Sequence, residues 1–340
     1  MSPMSESIRE KNSFTTFLSF DKSDLLAFFI CLGVFFCWLN LLINKFIYFG
    51  YYDWDLAMYA QATWALSHGS THASLFGTNF LTNHAEYIAF FLAPIYKIFP
   101  SAFTLIVFKI LSFVAGSFVF YLIAKKLLGW RLGLILMLFY QLHPANAFMM
   151  IYEFHFENLA IIFIFLMYYF LQNRQLIPFL ISAGFATLVK ENISLVVLMF
   201  GFYALLKREP KGRGWVVGPI LLGLGVFLLT MLLITPSLRT HEGITSANQY
   251  IGMYLISPDK AASMTQTIRQ NFLVLFHNLL SPANKHYMTE LFLPFHILPL
   301  LSPFTLLLGA PIFLQHFLSP SFTNHSLYYH YAATAILFIF

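Results

Sequence analysis

Apolar runs of about 15 to 25 residues, each closed by a short polar or basic break, recur along the chain from Leu25 onward; about 20 such residues carry a helix across a bilayer. Lipid offers no partner to an unpaired backbone amide, so the pattern predicts helices rather than open sheet. The runs predict helices over 25–49, 101–127, 158–173, 176–189, 193–207, 215–235, 287–301 and 304–318. Another runs from Arg131 to Pro144, and a last one begins near Tyr331. The expected fold is therefore all-α, a polytopic transmembrane bundle of about 9–10 helices. Phe340 ends the last helix before it is long enough to span, as in a shortened form of a longer chain. The helix over 176–189 is short as well, and the half-length helices meeting at Lys190-Glu191 have a re-entrant hairpin as their alternative.

Basic residues set the orientation. Arg9, Lys11 and Lys22 precede the first helix, while Lys125 and Lys126, then Arg174, then Lys207, Arg208, Lys211 and Arg213 mark alternate later ends. By the positive-inside tendency, residues 1–24 form a cytoplasmic tail and 25–340 a single multi-pass domain of the plasma (inner) membrane. Residues 50–99 and 236–286 become extracytoplasmic loops. Within them, 83–99 and 259–280 carry apolar residues at helical spacing, which predicts interfacial helices on that side. The first apolar run is too long for a cleaved signal, so it is expected to stay as an anchor.

Composition narrows the function classes. The chain is 59% hydrophobic and 10% charged, with mean hydropathy +0.72, against about 25% charged residues in soluble domains. An isoelectric point near 9.0 would suit a polyanion, but the basic residues sit at loop ends rather than in one patch. The bilayer is the expected partner and nucleic acid is not. Cys31 and Cys37, six positions apart in one helix, point to different faces and are not expected to bridge. No Gly-rich phosphate loop, Cys metal cluster or Ser-His-Asp arrangement is present.

Threaded this way, Asp53, Asp55, His84, Glu86, Glu153, His155, Glu157, Lys190, Glu191, His325 and His330 fall at one membrane face. That predicts a single extracytoplasmic polar site. Asp53 and Asp55 lie among Tyr51, Tyr52, Trp54 and Tyr59, a setting that suits a general base beside a sugar; Asp55 is equally a good N-cap for a helix over 56–67. In Asn83-His84-Ala85-Glu86, a capping box competes with His84 as a phosphate donor or metal ligand. Glu153-Phe154-His155-Phe156-Glu157 throws three ligand-type side chains to one side if extended, a divalent-ion site, whereas a helix start scatters them. Lys190-Glu191 reads either as a snorkelling ion pair or as a cation offered to a phosphate and oriented by its neighbour. His330 and Tyr329 stand where an aromatic belt also places tyrosines.

Several of these segments occur together in one family. Asp55-Leu56-Ala57 with Gln61-Ala62-x-Trp64 and His68-Gly69, the His84 segment, Phe154-His155-x-Glu157, Val189-Lys190-Glu191 and Tyr329-His330-Tyr331-Ala332 resemble, in order over about residues 50–340, the DUF2079 predicted membrane proteins. That resemblance implies kinship with GT-C glycosyltransferases, which move a sugar from a polyprenyl-phosphate donor and carry an acidic residue in the first outer loop. It implies a GT-C-like fold and Asp55, or else Asp53, as the base. On the convergence of the polar loops at one face, Lys190, Glu191, His84, Gln61, Trp64, His330 and Tyr329 are expected at the substrate. The rival expectation is a lipid or small-solute transporter or flippase using the same cavity without bond making.

Overall fold

The computed structural model describes residues 21–51, 54–241, 276, 279–293, 298–319 and 321–340. Helix α1 (Lys22–Ile47) begins at a capping box: the Asp21 side chain accepts from the Ser23 and Asp24 amides, and Asp24 accepts from the Asp21 amide. The first loop then folds as α2 (Asp55–Ser67), a two-residue hairpin of β1 (His72–Ala73) and β2 (Thr78–Asn79), a 3₁₀ turn and α3 (Ala89–Ile98). Gly69, two residues past the end of α2, takes φ +84°, the left-handed conformation expected of a residue that closes a helix there.

The long α4 (Ala102–Leu128) is the bundle's central helix, packed against α1, α5 (Trp130–Leu142) and α7 (Ala160–Gln172). Lys125 at its end donates to Asp21 and Asp24, 2.7 Å to each, and ties it to the foot of α1. At His143 the backbone turns extended and Pro144 starts α6 (Pro144–Ile151), since proline fits the first helical position but not an interior one. The next three elements are α8 (Leu176–Thr187), α9 (Glu191–Lys207) and α10 (Arg213–Leu229).

Through α9 the helix boundaries agree with the apolar runs to within a few residues, but the number of spans does not follow from them. Among the described residues three helices are long and apolar enough to cross a membrane, Lys22–Ile47, Ala102–Leu128 and Arg213–His241, with a fourth if α5 and α6, bent by 48°, count as one. Among the described residues the expected bundle is thus met as three or four long spans, while α7, α8 and α9, with 13, 12 and 17 residues, are shorter than the length that spans unaided. The helix expected to stop near 235 instead continues, through a π-turn at Thr230–Ile234, into α11 (Thr235–His241). Pro236, which lacks an amide hydrogen, accounts for that turn.

Near the C-terminus the expected helix over 287–301 is α12 (Pro282–Phe292), started early by the Ser281 cap, followed by a 3₁₀ turn at Leu298–Leu301. The run over 304–318 splits at Gly309 into α13 (Pro303–Leu308) and α14 (Ala310–Leu318). A Cβ at Gly309 would stand 2.5 Å from the Phe338 ring, so glycine lets the C-terminal turn pack against this break. The tenth expected helix is one turn, α15 (Ala332–Ala335), and a 3₁₀ turn, all buried. Most of 236–286, including nearly all of the interfacial helix expected over 259–280, lies outside the described residues.

Candidate functional site

The site is assembled on the short extended segment between α6 and α7. Lys109, buried in mid-α4, donates to the carbonyls of Met150 (3.0 Å) and Tyr152 (2.7 Å), and Lys45 donates to that of Ile151 (2.6 Å). These two lysines satisfy carbonyls that the end of α6 leaves without helical partners. The segment they fix then caps another helix. Glu153 Oε2 accepts from the Leu56 amide at 2.6 Å, whereas Trp54, in the N-cap position of α2, gives no side-chain bond.

That long-range cap overturns the expectation of Asp55 as the N-cap. Asp55, relieved of that task, meets His155: Oδ2 is 2.8 Å from Nε2 and 3.5 Å from the Tyr152 hydroxyl. The other nitrogen, His155 Nδ1, is 3.4 Å from the Tyr59 hydroxyl. His330 stacks on His155 with ring centres 3.4 Å apart and planes at 17°, and neither of its ring nitrogens has a hydrogen-bond partner.

The chain is extended only as far as His155, then enters a 3₁₀ turn at Phe156–Leu159 that carries Glu157 away. Glu157 Oε2 accepts from Lys190 at 2.6 Å, and Oε1 is 3.4 Å from both Asn192 Nδ2 and Thr334 Oγ1. The divalent-ion set expected from Glu153, His155 and Glu157 is therefore corrected: each faces a different partner. No three His, Cys, Asp or Glu side chains among the described residues converge as a metal cage.

Glu191, the first residue of α9, accepts from the Ala85 amide at 3.0 Å and meets His84 Nδ1 at 2.7 Å. With the Ile88 amide bound to the Leu188 carbonyl at 2.7 Å, this pins the 84–88 loop to the break between α8 and α9. The capping box expected from Asn83 and Glu86 does not form. Helix α3 starts only at Ala89, and Glu86 turns inward to 1% exposure.

Asp55, His84, His155, Lys190, Tyr329 and His330 line one cavity of about 160 Å³. Met58, Tyr59, Asn83, Tyr152, Thr323 and Tyr331 complete it. Glu191 stands one layer behind, on His84. Gln61 is elsewhere: its amide binds Ser74 Oγ and the Leu75 N–H and braces the hairpin. Trp64 is half-exposed and stacked on His68, and Asp53 lies outside the described residues. His325 turns to the His316 carbonyl at 2.7 Å. Tyr152 and Tyr59 carried a weak signal, each lying within four residues of a flagged carboxylate. Lys109 carried a stronger one, a lone charge in an apolar span.

Burial and pairing divide the titrations. Burial raises the Asp55 carboxyl, but the His155 and Tyr152 hydrogen bonds and the Lys190 charge outweigh it and hold Asp55 below the usual range. Glu157 is likewise raised by burial and lowered further by Lys190, while Lys190 is held well above its ordinary value by Glu157 and Glu191 against the effect of burial. Glu191 comes down to about 2, because His84 and Lys190 overcome burial. Glu86 goes the other way, pushed up to about 7 by burial against the pull of His84 and Lys190. Burial lowers His155 despite Asp55, and lowers His330 much further with His155 and Lys190 beside it. Near neutral pH the site thus holds an ionised Asp55, a neutral His330 and a charged Lys190.

Long apolar helices, with a polar cavity among the segments that join them, define a multi-pass helical membrane protein. Within that class the chain belongs to the DUF2079 family of predicted membrane proteins, which it matches over residues 48–340. No curated protein and no solved structure matches it.

Proposed function

We propose that the protein is a GT-C-type glycosyltransferase moving a sugar from a polyprenyl-phosphate donor to an acceptor hydroxyl at the extracytoplasmic face of the plasma membrane. The observation that carries this reading is the 2.8 Å contact between Asp55 and His155 on the wall of a cavity that Lys190 and an unpartnered His330 also line. A carboxylate held ionised in a half-buried setting is suited to take a proton. In the proposed step Asp55 accepts the acceptor's hydroxyl proton, the acceptor oxygen bonds to the anomeric carbon, and the bond from that carbon to the phosphate oxygen breaks with its electron pair. His155 fixes the Asp55 carboxylate.

The leaving phosphate needs cationic and donor groups prearranged around its developing charge. Lys190 retains ammonium hydrogens beyond the one given to Glu157, and His84 and His330 offer imidazole nitrogens. Glu157 and Glu191 orient Lys190 and His84 respectively.

The test is incubation of the purified chain in liposomes with polyprenyl-phosphate-linked sugars. Release of polyprenyl phosphate with glycosylation of the acceptor is expected. Passage of intact lipid-linked sugar between leaflets without release would favour the transporter reading, and no release from any donor would overturn transfer.

A further inference from the structure

A second cavity, of about 200 Å³, lies between α4, α5, α7, α9, α13 and the C-terminal turn. Its wall is mainly hydrocarbon, with Phe120, Leu136, Phe165, Phe200, Leu308 and Phe338 lining it. From Lys109, which holds the segment carrying His155, to the lining residue Leu127 is about 27 Å along α4 at the α-helical rise. The two cavities therefore stand at opposite ends of the bundle. Apolar cavities of about 150 Å³ stay dry and admit small hydrocarbons, so this space suits a hydrocarbon chain rather than water. Leu127 and Leu128 line it and are 55% and 53% exposed. It thus opens on the outer surface of the bundle, which in a membrane meets lipid.

The lining is graded toward the basic end. Along α13 it passes from buried Leu308 to half-buried Thr305, then to exposed Ser302 just before the helix, and the two hydroxyls lie 2.7 Å apart. Phe304, between them in the chain, carries the Lys207 ammonium 4.2 Å from its ring centre. Lys207 ends α9, is exposed, and forms no ion pair among the described residues. Hydrocarbon, then hydroxyl, then cation is the order that complements an acyl chain, its ester and its phosphate.

We infer that this cavity binds an anionic phospholipid, with one acyl chain between α4, α7, α9 and α13 and the headgroup phosphate at Lys207. Lys125, Lys126 and Lys207 mark this end of the helices, which assigns the lipid to the cytoplasmic leaflet. The site stands apart from the transfer chemistry at the Asp55 end. A polyprenyl donor with its phosphate at Lys190 cannot also place that phosphate at Lys207.

Photolabelling of the full chain in lipid vesicles tests this, using phosphatidylglycerol and phosphatidylcholine that carry a diazirine in one acyl chain. The readout is label on Phe165, Phe200 and Leu308, which are buried and out of reach of bulk lipid. Phosphatidylglycerol is expected to label them about fivefold more than phosphatidylcholine, the gain from one basic residue at the surface. Lys207→Gln should bring the two lipids to parity. Ala124→Leu fills the cavity from its α4 wall and should abolish the label from both; should that variant fail to fold, Thr305→Phe fills the same space. No label on these residues, label that survives filling, or a preference unchanged in Lys207→Gln overturns the inference. So does label displaced by polyprenyl phosphate but not by unlabelled phosphatidylglycerol.

Discussion

Asp55 and His155, 100 positions apart in the sequence, meet at 2.8 Å because Glu153 takes over the capping of α2 that Asp55 would otherwise supply. One segment therefore both positions the aspartate and supplies its partner. His155→Ala removes the main hydrogen bond that holds Asp55 low. The transfer rate should fall by about 10- to 100-fold, and its acid limb should move to higher pH, as a rate profile from pH 4 to 8 would show.

The buried Lys190–Glu157 pair, with side chains 5% and 2% exposed, gives a prediction about stability. Removing one partner strands a charge in a low-dielectric interior, at a cost of about 3–5 kcal/mol. Lys190→Met should lower the thermal midpoint steeply, whereas Lys190→Met combined with Glu157→Gln should recover most of the loss. Unfolding in detergent, followed by circular dichroism, checks both.

Glu153 predicts a smaller effect. Glu153→Ala leaves the Leu56 amide without its acceptor and should cost about 1 kcal/mol, the usual value of an N-cap. Activity should fall by more than that loss implies, because Asp55 loses its placement. The comparison is between the midpoint shift and the rate of the same variant.

Glu86 binds its proton up to about pH 7 when folded but only to about 4.5 when unfolded. Its contribution to stability is therefore present below pH 4.5 and lost as pH rises through about 7, a change of about 3 kcal/mol. Glu86→Gln should flatten this decline, so thermal midpoints measured at pH 5 and 8 should differ less in the variant than in the wild type.

The helices were legible in the sequence because apolar length and basic ends are local properties: 101–127 became Ala102–Leu128, and 176–189 became Leu176–Thr187. The gathering of Asp55, His84, His155, Lys190 and His330 on one cavity was legible too, since threading the chain put them at one face. Their partners were not. Which carboxylate caps α2 is decided by a contact between residues 97 apart, and the turn at Phe156 that separates Glu157 from His155 depends on Lys190 and Thr334 pulling it aside. Gln61 and Trp64 share a helix with Asp55, but their side chains serve the hairpin and the His68 ring instead.

The most direct test of the account is the rate of sugar transfer from a polyprenyl-phosphate donor by Asp55→Asn, a change that keeps shape and removes the base. The account predicts a loss of at least about 100-fold with the thermal midpoint nearly unchanged. Transfer at the wild-type rate by a folded Asp55→Asn protein would contradict it.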